Sequence, residues 1–331
     1  MSAHHICIAI PESVCHELEI AACLPELHAL ARVTIWDGTA AHLTTLRASA
    51  TILVTGWGTP TLSDLSAWSP QQSPLRLVVH TAGTVKHLLP VEALTAGLLV
   101  SHANVALADS VAEFTIGTMI MAQRQVFAAA QRYRDQQPLL PIHTQHELRG
   151  STVGIIGASA IGRRVMELLR QFGVRILLTD PFATPAVAAQ YQATLVPLDT
   201  VLAQSDVVSL HAPVTPDTIG MLGAREFALM RDGAWFINTA RGRLIDAEAL
   251  LAELQSGRIQ ALLDVTDPDE PLPADSPFWA LPNCVILPHM AAVTREARLR
   301  QRDIMVAEIR RFVQGDALQH QVNQAHWQTM A

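Results

Sequence analysis

The stretch STVGIIGASAIGRRVMELLRQFGVRILLTDP, residues 151–181, restricts the fold of this chain more than any other. Val153 to Ile156 is a short apolar run of the kind that suits a strand buried on both faces. A glycine-containing turn follows, from Gly157 to Gly162. Ile161, Val165, Leu168, Leu169 and Phe172 then recur at helical spacing, and Gly173 stands where a helix C-terminus favours positive φ. A second β-branched and leucine-rich run, Val174 to Thr179, ends on Asp180. Strand, glycine turn, helix, strand and terminal carboxylate predict the first half of a dinucleotide-binding unit.

Each part has a physical reason. Glycine lets the backbone turn tightly beside a pyrophosphate, and free N–H groups at the helix start stabilise its charge. Asp180, eighteen positions after Gly162, suits the hydroxyls of an adenosine ribose and repels a 2′-phosphate, so the expected cofactor is NAD rather than NADP. The turn reads Gly157-Ala158-Ser159-Ala160-Ile161-Gly162, with serine at the middle glycine of the usual G-x-G-x-x-G. That serine adds a Cβ where phosphate passes and a hydroxyl able to bond it. Gly157, Ser159, Ala160, Ile161, Gly162 and Asp180 are the expected cofactor contacts.

A chain of 331 residues, half of them hydrophobic, can fill two domain cores. The net charge of −7 and the lack of any lysine- or arginine-rich block argue against a nucleic-acid partner. Cys7, Cys15, Cys23 and Cys284 form no C-x-x-C pair and read as buried, reduced thiols. The first residues lack a basic leader, and no run of uncharged apolar residues is long enough for a membrane span, so a cytoplasmic protein without a membrane partner is expected.

Up to about residue 105 the chain alternates apolar runs with helical stretches. Ile6–Ile10, Val33–Trp36, Thr51–Thr55, Leu75–His80 and Leu98–Ser101 read as strands. Glu17–Leu30, with a break at Pro25 an open alternative, and Ala40–Ala48 read as helices. This predicts a parallel, doubly wound sheet. Gly56-Trp57-Gly58 and Thr81-Ala82-Gly83-Thr84 follow two of these strands, at the sheet end where ligands bind. Trp57 is a candidate substrate contact, and the main chain near Gly83 a candidate carboxylate holder.

Ala108–Arg134 reads as one long helix, apolar on more than one face, fit for an interface or for a core. His143 and His146 lie in the following loop without further ligands, so no metal site is expected. Thr194–Val196, Asp206–Leu210, Gly233–Ile237, Ile259–Val265 and Cys284–Leu287 read as further strands. Ala224–Met230, Asp246–Gln255 and Glu296–Val313 read as helices.

Three strand ends carry charge beside a turn: Asn238-Thr239-Ala240-Arg241-Gly242, Asp264 to Pro271, and Pro288-His289. Together with Val111-Ala112-Glu113, the Gly154–Gly162 turn and Asp206–Pro213 (DVVSLHAP), they make the chain resemble the D-isomer-specific 2-hydroxyacid dehydrogenases over nearly its whole length.

The resemblance implies a Rossmann NAD-binding domain at 106–291 and a flavodoxin-like substrate domain from 1–105 plus 292–331. It implies hydride exchange between NAD(H) and a small 2-oxo acid or D-2-hydroxy acid, in a homodimer. Arg241 would hold the substrate carboxylate, with Trp57, Ala82 and Gly83 as further substrate contacts. His289 would be the acid/base, oriented by Glu270, with Asp269 as the alternative. His211, Pro213, Thr239, Ala240 and Asp264 would lie along the cofactor. The sequence departs from the family in Met290-Ala291-Ala292 after the histidine, and in His80 and Lys86 of the first domain. A non-catalytic NAD(H)-sensing scaffold of the same fold is the rival reading; a formate or phosphite dehydrogenase ranks lower, because formate enzymes pair the histidine with glutamine.

Overall fold

The structure is a computed structural model that describes residues 4–330; residues 1–3 and 331, and the side chains at 326, 328 and 329, lie outside the described set. The chain divides into two compact units, Met1–Leu107 with Val293–Ala331, and Ala108–Ala292.

In the first unit the strands are β1 (His5–Ile8), β2 (Arg32–Ile35), β3 (Ile52–Thr55), β4 (Leu77–His80) and β5 (Leu99–His102). They form one parallel sheet in the order β2-β1-β3-β4-β5. Strands β1, β3 and β4 are buried throughout, as apolar runs covered on both faces must be. The early helices are α1 (Glu12–Glu17), α2 (Ile20–Leu30), α3 (Ala40–Ser49) and α4 (Val91–Thr95). The expected helix over 17–30 is split before Ile20, where Glu19 adopts φ of +48°, and not at Pro25, which lies inside α2. Proline there removes one hydrogen bond, but burial of Ile20, Cys23 and Leu27 on one face keeps the helix in place.

The second unit holds β6 (Thr152–Ile156), β7 (Arg175–Thr179), β8 (Ala193–Leu195), β9 (Val207–Leu210), β10 (Trp235–Asn238), β11 (Gln260–Leu263) and β12 (Cys284–Ile286). These seven strands are all parallel, in the order β12-β11-β10-β9-β6-β7-β8. The order reverses between β6 and β9, the switch point where a doubly wound sheet opens a crevice at its carboxyl end. Helices α5 (Ala108–Gln123), α6 (Val126–Arg134), α7 (Ala160–Leu169), α8 (Pro185–Gln190), α9 (Leu198–Gln204), α10 (Ala224–Leu229) and α11 (Ala247–Gln255) belong to this unit.

The expected single helix over 108–134 is two helices. Gln125 takes φ of +55° and ends the first, and nothing in its side chain announces that. Among the described residues, one helical stretch, 104–123, is long and apolar enough to cross a membrane by length and composition. Its Ala112, Ile116, Met119 and Ala122 lie in the core of the second unit with Val153, Val165 and Leu169.

The later helices α12 (Arg295–Gln314) and α13 (Gln324–Thr329) return to the first unit. Met305, Val306 and Ile309 of α12 pack against Ile6, Ile8, Ile52 and Leu77 on one face of the sheet. The buried Glu308 carboxylate accepts from Ser101 Oγ and from the N–H groups of Gln319 and His320, which ties the chain after α12 to β5. All four cysteines are free; Cys7 and Cys23 are buried, Cys15 and Cys284 only partly.

Candidate active site

The glycine turn sits at the switch point. Gly157 has φ of +100°, and a Cβ on it would meet the backbone of Ala212 at 2.7 Å, just beyond β9. A Cβ on Gly162 would lie on the carbonyl oxygen of Gly157. Only glycine keeps this turn narrow and its main chain bare. Ser159 has φ of −62° and is the N-cap of α7, accepting from Gly162 N–H at 3.2 Å. Its conformation needs no glycine, which is why serine fits there. The cap uses an oxygen lone pair and leaves the hydroxyl proton for an acceptor outside the turn. Ala160 and Ile161 open α7, so their N–H groups have no carbonyl partner within the helix.

Asp180 follows β7 and joins the turn to the next loop. Its Oδ2 accepts from Ala158 N–H and its Oδ1 from Phe182 N–H, both at 2.7 Å. The carboxylate is thereby held in place beside the glycine turn. The ring of His211 is buried: Nε2 lies 2.9 Å from Ser209 Oγ, Nδ1 has no partner, and burial pushes its pKa down to about 3. The main chain of His211 and Ala212 borders Gly157, and the His211 Cβ lies against Gly162, while the ring itself is turned to Ser209.

The loop after β10 is tied by its own asparagine. Asn238 Oδ1 accepts from Ala240 N–H and its Nδ2 donates to Arg241 O, both at 3.0 Å. Thr239 Oγ1 lies 3.2 Å from Thr115 Oγ1 of α5. Arg241 donates from Nη1 to Ala240 O at 2.6 Å, and its other donors bond nothing among the described residues. Burial lowers the Arg241 pKa, and the Glu270 carboxylate opposes that shift. Gly242 permits the approach: a Cβ there would overlap the main chain of Thr266 and Asp267 in the loop after β11.

That loop carries Glu270, whose Oε1 lies 2.7 Å from His289 Nδ1. A carboxylate only accepts, so Nδ1 carries the proton of this contact and Nε2 is left to exchange protons. Asp269 is not placed as the partner; its carbonyl oxygen accepts from Thr266 Oγ1. His289 has φ of +52°, an uncommon conformation for a residue with a side chain. Asp264, 1% exposed, holds the turn after it by accepting from Met290 N–H at 2.8 Å and Ala291 N–H at 2.9 Å. The carboxylate expected along the cofactor thus also fixes the loop that presents the histidine.

In the first unit, Ala82 is 1% exposed, yet neither its N–H nor that of Gly83 donates to anything among the described residues. Ala82 is buried and Gly83 half-buried, and main-chain donors in buried residues are almost always paired, so the Ala82 N–H is an exception to that rule. Below them His80 is buried, with Nδ1 3.0 Å from Thr55 Oγ1, and burial pushes its pKa down to about 3. Lys86 donates to Met330 O at 2.5 Å. Asn238 and Asp264, which shape the two loops, had a signal in the sequence only as members of their motifs. No group of His, Cys, Asp or Glu able to hold a metal occurs among the described residues.

A parallel seven-stranded unit with a glycine turn at its switch point and an aspartate at the next strand end defines a dinucleotide-binding domain. Residues 116–291 match the family described as D-isomer specific 2-hydroxyacid dehydrogenase, NAD binding domain. The chain belongs to this family, and NAD is the cofactor its second unit is fitted to bind. It is 36% identical over 233 residues to a glyoxylate reductase of Thermofilum pendens, covering 68% of each chain. It is 34% identical over 248 residues to a D-3-phosphoglycerate dehydrogenase of Archaeoglobus fulgidus, covering 74% of this chain and 47% of that one. The chain spans about half the length of the phosphoglycerate dehydrogenases it matches. The NAD-complexed D-isomer specific 2-hydroxyacid dehydrogenase of Lactobacillus delbrueckii ssp. bulgaricus shares the fold, with a TM-score of 0.80 over 96% of this chain and 99% of that one, at 22% identity.

Proposed function

We propose that this protein interconverts a small 2-oxo acid and its D-2-hydroxy acid with NAD(H). The observation that carries the reading is the Glu270–His289 pair beside Arg241, held by the loops after β10, β11 and β12. NADH, when bound, supplies the hydride that reduces the carbonyl carbon. The Arg241 guanidinium, with most of its donors open, grips the substrate carboxylate and polarises the carbonyl. On the first unit, the Ala82 and Gly83 N–H groups and Trp57 are the substrate contacts of this reading. The His289 imidazolium gives a proton from Nε2 to the carbonyl oxygen as it becomes a hydroxyl, and in the reverse direction takes it back. Glu270 keeps Nδ1 protonated and the ring oriented. Pro213, Thr239, Ala240 and Asp264 line the cofactor's path, Ser159 offers its hydroxyl proton to a phosphate, and Asp180 meets the adenosine ribose.

The second unit leaves Val126, Tyr133, Leu139 and Ile142 exposed, a surface suited to the homodimer of this reading. Sedimentation at graded concentrations tests that part. The activity is tested by following NADH consumption with a panel of 2-oxo acids, NADPH in parallel. Turnover with NADH is the expected outcome. Tight NADH binding without turnover on any acid would favour an NADH sensor instead.

A further inference from the structure

The amino end of the second sheet carries a cavity that the dehydrogenase reading leaves unused. It measures about 420 Å3 and lies where Ser151, Asp206 and Ala234 lead into β6, β9 and β10, three adjacent strands. The glycine turn and the loop after β10 stand at the other end of these strands, about 13–17 Å away along four or five residues. A ligand in this cavity is therefore out of reach of the cofactor turn. All of the lining belongs to the second unit.

Most of the charges around it are already paired. Arg231 bonds the Asp206 carboxylate, whose second oxygen accepts from Thr152 N–H at 2.8 Å. Asp232 lies 3.4 Å from Arg258, which also holds Glu253 and the carbonyls of Phe227 and Met230. Two lining charges of opposite sign remain. The side chains of Glu147 and Arg149 make no hydrogen bond or ion pair among the described residues, with each other or with anything else. The Arg149 guanidinium rests beside Gly173, whose carbonyl accepts from the N–H of Gly150, itself part of the lining. Gln123, the last residue of α5, gives a second and independent sign. It is 6% exposed, and its carbonyl accepts from His146 N–H at 2.8 Å, yet its side-chain amide bonds nothing among the described residues. Polar groups of buried residues are ordinarily satisfied, and this one borders the cavity.

We propose that this cavity binds a small zwitterion of the α-amino acid class, its carboxylate toward Arg149, its ammonium toward Glu147, and its polar atoms on the Gln123 amide. A simple anion would satisfy Arg149 and be repelled by Glu147, and a simple cation would meet the reverse. A ligand with both charges answers each, through charge-assisted hydrogen bonds. The volume falls within the range of small-molecule sites. The proposal goes beyond the dehydrogenase reading and does not depend on it.

The test is calorimetric titration of the full chain with L-alanine, L-leucine and L-glutamine, and with acetate and methylamine as carriers of one charge each. At least one amino acid is expected to bind with a Kd of about 1 mM or tighter, and acetate and methylamine at least about tenfold more weakly. Arg149→Met and Glu147→Gln are each expected to weaken the amino acid about tenfold or more. Both residues are exposed, so the fold should survive, and circular dichroism with NADH fluorescence titration verifies that it does. Saturating NADH is expected to leave the amino acid bound, as a site at the opposite end of the sheet requires. No binding of any amino acid at about 20 mM overturns the proposal. So does acetate binding as tightly as the amino acid, an affinity unchanged in Arg149→Met or Glu147→Gln, or displacement by NADH.

Discussion

Glu270 Oε1 lies 2.7 Å from Nδ1 of His289, at the ends of two adjacent strand-end loops, with about two-fifths of each side chain open to solvent. The distance is that of a charge-assisted hydrogen bond, and the exposure leaves the far side of the imidazole accessible. His289→Gln is expected to lower kcat by about 10²–10⁴ while NADH affinity holds. Glu270→Gln is expected to lower kcat less, because an amide oxygen still accepts from Nδ1. Steady-state kinetics beside NADH fluorescence titration checks both, and near-normal turnover of His289→Gln would sink the mechanism.

Asp180 sits against the glycine turn with both oxygens engaged by main-chain N–H groups. Asp180→Asn keeps an acceptor and removes the charge that repels a 2′-phosphate. The ratio of NADPH to NADH affinity is expected to rise about tenfold, equivalent to about 1.4 kcal/mol. Parallel titrations with the two cofactors measure it; an unchanged ratio would mean that something other than Asp180 selects NAD.

Gly242→Ala places a methyl group on the main chain of Thr266 and Asp267. A loss of about 1–3 kcal/mol in stability is expected. The loop carrying Glu270 must also retreat, so kcat should fall even in protein that remains folded. Chemical denaturation together with kinetics well below the midpoint separates the two effects.

His80 and His211 are both buried, and burial holds each at a pKa of about 3 against 6.5 for the free side chain. The folded state therefore binds fewer protons than the unfolded one between those values. Their contribution is fully present above pH 6.5 and is lost as pH falls toward about 3. Each histidine adds up to about 1.4 kcal/mol per pH unit to the slope of stability in that window. Urea midpoints between about pH 7 and about pH 5 should fall steadily, and less steeply for His80→Asn.

Ser159→Gly restores the usual glycine of the turn but removes the cap on Gly162 N–H. Since the backbone there already has a common φ, the gain in freedom is unused. A loss of a few tenths of a kcal/mol is expected, with NADH affinity changed less than about threefold. Thermal denaturation and fluorescence titration test this.

Both sheets, and the glycine turn between β6 and α7, were legible in the sequence because each is written in consecutive residues. Val153 to Ile156 or Leu77 to His80 announces a buried strand without help from the rest of the chain. The helix breaks at Glu19 and Gln125 were not legible, because positive φ at a residue other than glycine has no local sign. Nor were pairings between distant segments: Arg298 on Trp57, Thr115 with Thr239, Glu308 with Ser101. These arise from packing, and spacing along the chain says nothing about them. Sequence left Asp269 and Glu270 open as partners of His289 because the two are adjacent; the conformation of the loop brings the second to the imidazole.

The first unit is assembled from residues on both sides of the second in chain order. During synthesis, residues 108–292 emerge as one uninterrupted block, while the face of β1, β3 and β4 that α2 and α12 share stays only partly covered until α12 is made. The Glu308 contacts with Ser101, Gln319 and His320 form later still. Completion of the unit that carries Trp57, Ala82 and Gly83 therefore waits on the synthesis of α12, and a ribosome that stalls before it releases a cofactor-binding unit with no finished counterpart.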